Sequence, residues 1–310
     1  MGENFLKTLI VLVLVVGLIA QRTGFHKRIP AIAAFLAKRS REKLSGFEPR
    51  QAQVGGDTLQ WLEGGNPKHP GIVLVHPFGV DKQVWLATGA RLREAGYRVV
   101  ALDLISGNES RKLDVTAMAR RLRAVISSAN LIRPHLVGAG LGGTISATLA
   151  CAAPQELASL TLIEPLGFGS PYASDLDRLL EKGRNPLVPT EAAHLDVFLR
   201  LLMARPEVLS ETERKRLCDL AIAQAPARSR LWEGCLGAEK ARILDQLLPE
   251  LRIKTTVIWG ARSRVAPPEN AEAIRAIVAN ARLTSIRDAG HLVMVDQPEV
   301  AAQAILEAVA

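Results

Sequence analysis

A chain of 310 residues with 48% hydrophobic and 23% charged side chains can bury a full core, as one large α/β domain or a domain with an insertion, and it is too apolar to be disordered. Its net charge of +8 raises nucleic acid as a partner, but the basic residues crowd the N-terminal part: Arg22, Lys27, Arg28, Lys38, Arg39, Arg41 and Lys43. With two tyrosines and no stacking motif, that clustering suits a membrane surface and argues against a nucleic-acid groove. Cys151, Cys218 and Cys235 lie far apart in the chain, and the histidines lack paired ligand spacing, so no disulfide framework, metal site or cofactor is expected.

Residues 8–20, TLIVLVLVVGLIA, form an uncharged apolar run. Extended back past Lys7 it falls slightly short of the roughly 20 residues of a spanning helix. Signal-peptide cores have this size as well, yet MGENFLK is weakly basic and Leu18 before Ala20 makes a poor cleavage site. The expectation is an uncleaved, single membrane span within residues 1–28, followed by a basic segment over 29–50. Arg22, Lys27 and Arg28 on its C-terminal side place the large domain on the cytoplasmic side. AIAAFLAKRSREKLSGF reads either as an amphipathic helix along the headgroups or as a solvated linker helix.

From residue 54 the pattern changes. DTLQWLE alternates like an edge strand, and GIVLVH is a continuous apolar run typical of a strand buried on both faces. There follow a helix over VWLATGARLREAG, a strand YRVVALDL, a helix VTAMARRLRAVISSANL, a strand HLVGA, a helix LGGTISATLACAA and a strand LASLTLIE. After a helix-rich stretch over about 170–248 come a strand KTTVIWG, a helix PENAEAIRAIVAN, a strand ARLTSIRD and a closing helix PEVAAQAILEAV. Strands alternating with helices predict a mostly parallel, doubly wound sheet over residues 51–310. The helical stretch reads as an insertion covering the sheet's C-terminal edge, where such folds bind ligands.

Several strand tips carry recurrent chemistry. VLVHPFGVDKQVW places His76-Pro77-Phe78-Gly79 directly after a buried strand, and PHLVGAGLGGTISATLA places Gly138-Ala139-Gly140-Leu141-Gly142 between strand and helix. VIWGARSRVAPPEN and DAGHLVMVDQPEV follow the last two strands. Together these segments, from about Thr58 to the C-terminus, resemble the α/β-hydrolase superfamily. The anchor and the phrase GRNPLVPTEAAHLDVFLRLL resemble its branch of membrane-anchored monoacylglycerol lipases and bacterial lipases.

The resemblance implies a Ser-His-Asp triad and an oxyanion hole, and this sequence departs from both patterns. In the G-x-S-x-G elbow the serine's place is taken by Gly140, which relieves the strain of positive φ and removes the nucleophile. The W-G-x-x-D segment has Ser263 where the acid belongs, and a hydroxyl cannot do a carboxylate's work. Glu164, one strand tip away, is a possible substitute acid. His291 keeps the base position, with Asp296 where the segment usually has Glu. Phe78 and Leu141 would donate the oxyanion N–H groups, although Pro77 stands where glycine is usual. Asp103, Gly107 and Ser110 read as scaffold. The implied function is a membrane-anchored, lipase- or esterase-like protein without catalysis, binding an acyl or other apolar ligand, or a protein partner. The alternative is a hydrolase of lipid esters that uses His291 without a serine nucleophile.

Overall fold

The computed structural model describes residues 45–104, 114–237, 242–278 and 281–310. The expected anchor within residues 1–28 lies outside them, as do most of the basic segment after it and the scaffold positions Gly107 and Ser110. Among the described residues no helix is long and apolar enough to cross a membrane. Residues Gly46–Ala310 form one compact unit.

In chain order the unit runs β1 (Glu48–Val54), β2 (Asp57–Gly64), β3 (Gly71–Val75), α1 (Leu86–Glu94), β4 (Arg98–Leu102), α2 (Val115–Ser128), β5 (His135–Ala139) and α3 (Leu141–Ala152). It continues with β6 (Ser159–Ile163), α4 (Asp175–Leu180), α5 (Leu195–Leu202), α6 (Glu211–Leu236), α7 (Ile243–Leu247) and β7 (Thr255–Gly260). The last elements are α8 (Glu269–Ile277), β8 (Arg282–Ile286), α9 (Val293–Asp296) and α10 (Pro298–Val309). The strands form one sheet in the order β1-β2-β4-β3-β5-β6-β7-β8. From β4 onward every pair is parallel, while β2 runs antiparallel to both β1 and β4. DTLQWLE is therefore not the sheet's edge. That place belongs to β1, whose largely exposed EPRQAQV carries no apolar signal.

Burial follows the parallel topology. Every residue of β3, β4, β6 and β7 is buried, because helices cover both faces and the runs GIVLV, RVVAL, SLTLI and TTVIWG supply apolar or small side chains to each. α2 starts where the Asp114 carboxylate accepts the Ala117 N–H. α3 is built from small residues, nine of its twelve buried, which lets it lie close on the sheet.

β3, β5, β6, β7 and β8 are consecutive neighbours in the sheet, so the segments at their C-terminal ends form one row. The strand order reverses between β4 and β5, on either side of β3, and this is where open α/β sheets form a crevice. The helical stretch between β6 and β7 is stitched to that row. Leu292 N–H donates to the Leu202 carbonyl (2.8 Å), Leu176 N–H to Arg264 (3.2 Å) and Leu244 N–H to Gly167 (2.8 Å).

Candidate functional site

The turn after β5 sets the geometry of the site. Gly140 has φ +53° and ψ −124°, a combination that L-residues hold only under strain and glycine adopts freely. Its N–H donates to the Ile163 carbonyl at the end of β6, and its carbonyl accepts from Leu166, so two strand tips hold the turn in shape. Gly142 is required by close approach: a Cβ there would lie 2.6 Å from the carbonyl oxygens of both Val75 and His76. Leu141 opens α3, and the first N–H groups of a helix have no acceptor within it. Its amide is thus free to face a developing negative charge at the end of β5, with the helix's positive pole behind it.

His291 reaches this turn from the segment after β8. Its Nδ1 lies 2.8 Å from Glu164 Oε2, and both side chains are buried. Glu164 sits just past β6 at φ +43°, a conformation uncommon for a residue other than glycine. Its carboxylate also accepts Gly260 N–H at 2.7 Å and the Ser263 hydroxyl at 2.6 Å. Ser263 accepts in turn from Ala266 N–H at 3.3 Å. The carboxylate beside the imidazole therefore comes from the tip of β6, and Ser263 is its hydrogen-bond donor. Nδ1–H donating to Glu164 leaves the Nε2 lone pair facing Gly140. The sequence pattern suggests two missing triad members, but this geometry leaves only the nucleophile without a counterpart.

A nucleophile's side chain would also be crowded at this position. A Cβ on Gly140 would lie 2.8 Å from His291 Nε2 and 2.8 Å from Pro77 Cβ. Pro77, the departure from glycine in the loop after β3, thus fills the space that the departure at Gly140 empties. Neither Thr144 nor Ser146 stands in as a nucleophile: the Thr144 hydroxyl donates to the Leu166 carbonyl, and Ser146 is buried in α3 behind the turn.

The loop after β3 is rigid for its own reasons. His76 is fully buried, its Nδ1 2.8 Å from its own neighbour's carbonyl at Pro77, and its Nε2 accepting from Leu104 N–H at 3.0 Å. Both bonds suit a neutral ring. Burial lowers its pKa, partly offset by the Asp103 charge and the Pro77 carbonyl. Asp103 accepts from the Lys82 backbone N–H at 3.0 Å and pairs with the Lys82 ammonium, which fits its reading as scaffold. Phe78 is buried between this loop and α6, its ring 5.2 Å from Trp232 in edge-on contact.

Apolar residues of the helical stretch close over the row. Phe198, Leu199, Leu201 and Leu202 of α5 are buried, and Leu195 is partly buried. A Cβ on Gly79 would lie 3.0 Å from the Phe198 ring. Asp296 fastens α5 to the histidine's segment: its Oδ2 accepts Ala204 N–H at 2.9 Å and Gly290 N–H at 2.8 Å. Burial raises the Asp296 pKa, and those two N–H groups oppose the rise. The sequence gives no hint of this clamp beyond the acidic residue itself. A cavity of about 130 Å³ lies beside the row, lined among others by Pro165, Leu166, Trp232, Leu236 and Val265. Among the described residues no cluster of His, Cys, Asp and Glu could hold a metal ion.

Comparison with known proteins accords with this geometry. The model of the alpha/beta hydrolase family matches residues 72–304, and the chain belongs to that family. It is similar to the dihydrolipoyllysine-residue acetyltransferase component of the acetoin cleaving system of Pseudomonas putida, 28% identical over 290 residues that cover 88% of this chain and 72% of that protein. It is 25% identical to Lipase 3 of Moraxella sp. (strain TA144) over 252 residues, 78% of each chain. Among solved structures, a membrane phospholipase A described as a bacterial virulence factor superposes with a TM-score of 0.87 at 28% identity, covering 100% of this chain and 98% of that one. Within the family the chain is thus lipase-like.

Two outcomes test the geometry. Ser263→Ala removes one charge-assisted hydrogen bond from Glu164 and is expected to cost about 1.5–3 kcal/mol, whereas Glu164→Gln disturbs all three donors and should cost more. Urea unfolding that ranks the two variants in the opposite order would contradict the network. His76 also makes stability pH-dependent. Its pKa is depressed in the folded state, so below its unfolded value near 6.5 the unfolded chain takes up a proton that the folded chain resists. Stability is then full above that pH and declines as pH falls through it. Melting temperatures at pH 7.5 and 5.5 should show this fall, and His76→Gln should shrink it.

Proposed function

We propose that this protein is a membrane-anchored, lipase-like α/β-hydrolase that forms no acyl-enzyme and binds an acyl or other apolar ligand beneath a helical lid over 170–248. The observation that carries the reading is the crowded elbow: Gly140 offers no nucleophile, and a Cβ there would lie 2.8 Å from both His291 Nε2 and Pro77 Cβ. The likeness to a membrane phospholipase A and to a lipase supports a lipid-type ligand. The apolar run at residues 8–20 and the basic residues after it support the anchor, with the domain on the cytoplasmic side. A protein partner on the same covered edge is a weaker reading, since the apolar residues of α5 are turned inward.

One observation favours turnover without a serine. The Glu164–His291 pair is intact, with Nε2 facing the place where a reacting atom would sit. In that reading His291 takes a proton from water, the hydroxide adds to an ester carbonyl, and the N–H groups of Phe78 and Leu141 receive the oxyanion. Glu164 stabilises the resulting imidazolium, which then returns its proton to the leaving alkoxide.

A serine-reactive fluorophosphonate separates these readings. The wild type is expected to remain unlabelled and to hydrolyse p-nitrophenyl esters no faster than buffer. Gly140→Ser alone meets Pro77 and His291, whereas Gly140→Ser with Pro77→Gly has room for the new side chain. The double variant should become labelled and gain on the order of 10²-fold in ester hydrolysis. It should also lose about 1–3 kcal/mol of stability to the forced positive φ. Ester hydrolysis by the unlabelled wild type that His291→Ala abolishes would establish the water-activating reading instead. Wild-type labelling at another serine would refute both.

The anchor has its own test. Removing residues 1–28 should move the protein from the membrane fraction to the soluble fraction with its melting transition intact. A C-terminal alkaline phosphatase fusion should be inactive, and an active fusion would reverse the orientation.

A further inference from the structure

Gln224, Arg228 and Trp232 lie four residues apart along α6 and share one face of the helix, with Arg216 two turns before Gln224. The helix meets the loop after β3 at two points. Arg216 Nη1 lies 3.4 Å from Asp81 Oδ2, and the Trp232 ring packs edge-on against Phe78. Arg228 lies between these two contacts and is 1% exposed. Its Nη2 donates to Gln224 Oε1 at 3.1 Å, but its Nη1 has no hydrogen-bond partner. Burial pulls the guanidinium pKa down to about 10 in spite of the Asp81 charge, and the Arg228 charge extends to the buried His76. A guanidinium offers five donors, and burying one without an anion is unfavourable unless a further group completes it.

We propose that Arg228 is the binding group for the oxyanion head of an amphiphilic ligand, a carboxylate or a phosphate ester on an apolar chain, seated between α6 and the loop carrying Phe78. The inference rests on the ligand-binding reading above and names the chemistry of that ligand. Trp232 ties the head to a place for the tail, because the same ring that meets Phe78 also lines the cavity of about 130 Å³ with Leu166, Leu236 and Val265. Arginine suits carboxylate and phosphate alike through its planar fork of donors. An uncharged alcohol of the same chain length can accept one hydrogen bond from Nη1 but brings no negative charge to the guanidinium.

The full-length chain in a non-ionic detergent can be titrated with octanoate, octyl phosphate, octanol and inorganic phosphate, followed by tryptophan fluorescence. Octanoate or octyl phosphate is expected to bind at least tenfold more tightly than octanol, and inorganic phosphate to give no response in the same range. A stronger response to octyl phosphate identifies a phospholipid-type head and a stronger response to octanoate a fatty-acid-type head, and either supports the proposal. Arg228→Gln and Arg228→Met should abolish the preference for the anionic compounds over octanol. Because the buried guanidinium leaves Nη1 without an acceptor, Arg228→Met should melt no lower than the wild type. Equal wild-type affinity for octanol and the anionic compounds overturns the proposal without any variant having to fold. So does a response to inorganic phosphate equal to that to octyl phosphate, or a preference retained by the variants. If none of the octyl compounds binds, the ligand-binding reading itself falls.

Discussion

The imidazole of His291 is held between a buried carboxylate on one side and a bare α-carbon on the other, and the rest of the site is arranged around that wedge. Glu164 fixes Nδ1 at 2.8 Å, and Nε2 comes to rest 2.8 Å from where a Cβ at position 140 would lie. Pro77 closes the remaining side at the same 2.8 Å from that hypothetical Cβ. The absence of a side chain at Gly140 is therefore a packing feature, not a hole. A proline is tolerated in the loop after β3 because of it, and the elbow keeps its backbone shape without the strain a serine would introduce.

The same wedge explains why the helical stretch sits tightly on the sheet. Asp296 gathers two backbone N–H groups, Gly290 beside the histidine and Ala204 just after α5, so the histidine's segment is tied to the end of that helix. A Cβ on Gly290 would lie 2.8 Å from Ala204 N, which leaves no slack between them. The face of α6 that meets the Phe78 loop lies beside that contact and carries its own polar group.

Much of the fold was legible because its strands are buried on both faces and its helices are amphipathic or made of small residues. HLVGA coincides with β5 and PEVAAQAILEAV with α10, since each is bounded by residues that end an element, Pro134 and Gly140 for the strand and Pro298 for the helix. β1 escaped notice because EPRQAQV is exposed and polar, and its pairing with β2 is the only thing that makes it a strand. At the site, Gly140, His291 and Phe78 could be located by position within short motifs. Glu164 was visible as a residue at a strand tip, but its partnership with His291 spans 127 positions and depends on β6 and β8 flanking β7. Pro77 meeting Gly140, and Arg228 sealed in α6, are products of tertiary packing that no local pattern encodes.

A retained carboxylate–histidine pair is often read as a retained activity, yet here the fold itself demands it. Glu164 is fully buried and satisfied by three donors: Gly260 N–H, the Ser263 hydroxyl and His291. Removing the histidine would strip one donor from a buried carboxylate, a loss of about 1–3 kcal/mol. The pair thus persists whether or not any substrate turns over, and its presence weighs little between the two chemistries. The elbow weighs more. Its glycine and the proline opposite are two separate departures that fit each other sterically. A Cβ at position 140 would stand 2.8 Å from that proline's Cβ and from His291 Nε2, so both neighbours would have to shift for a serine to fit.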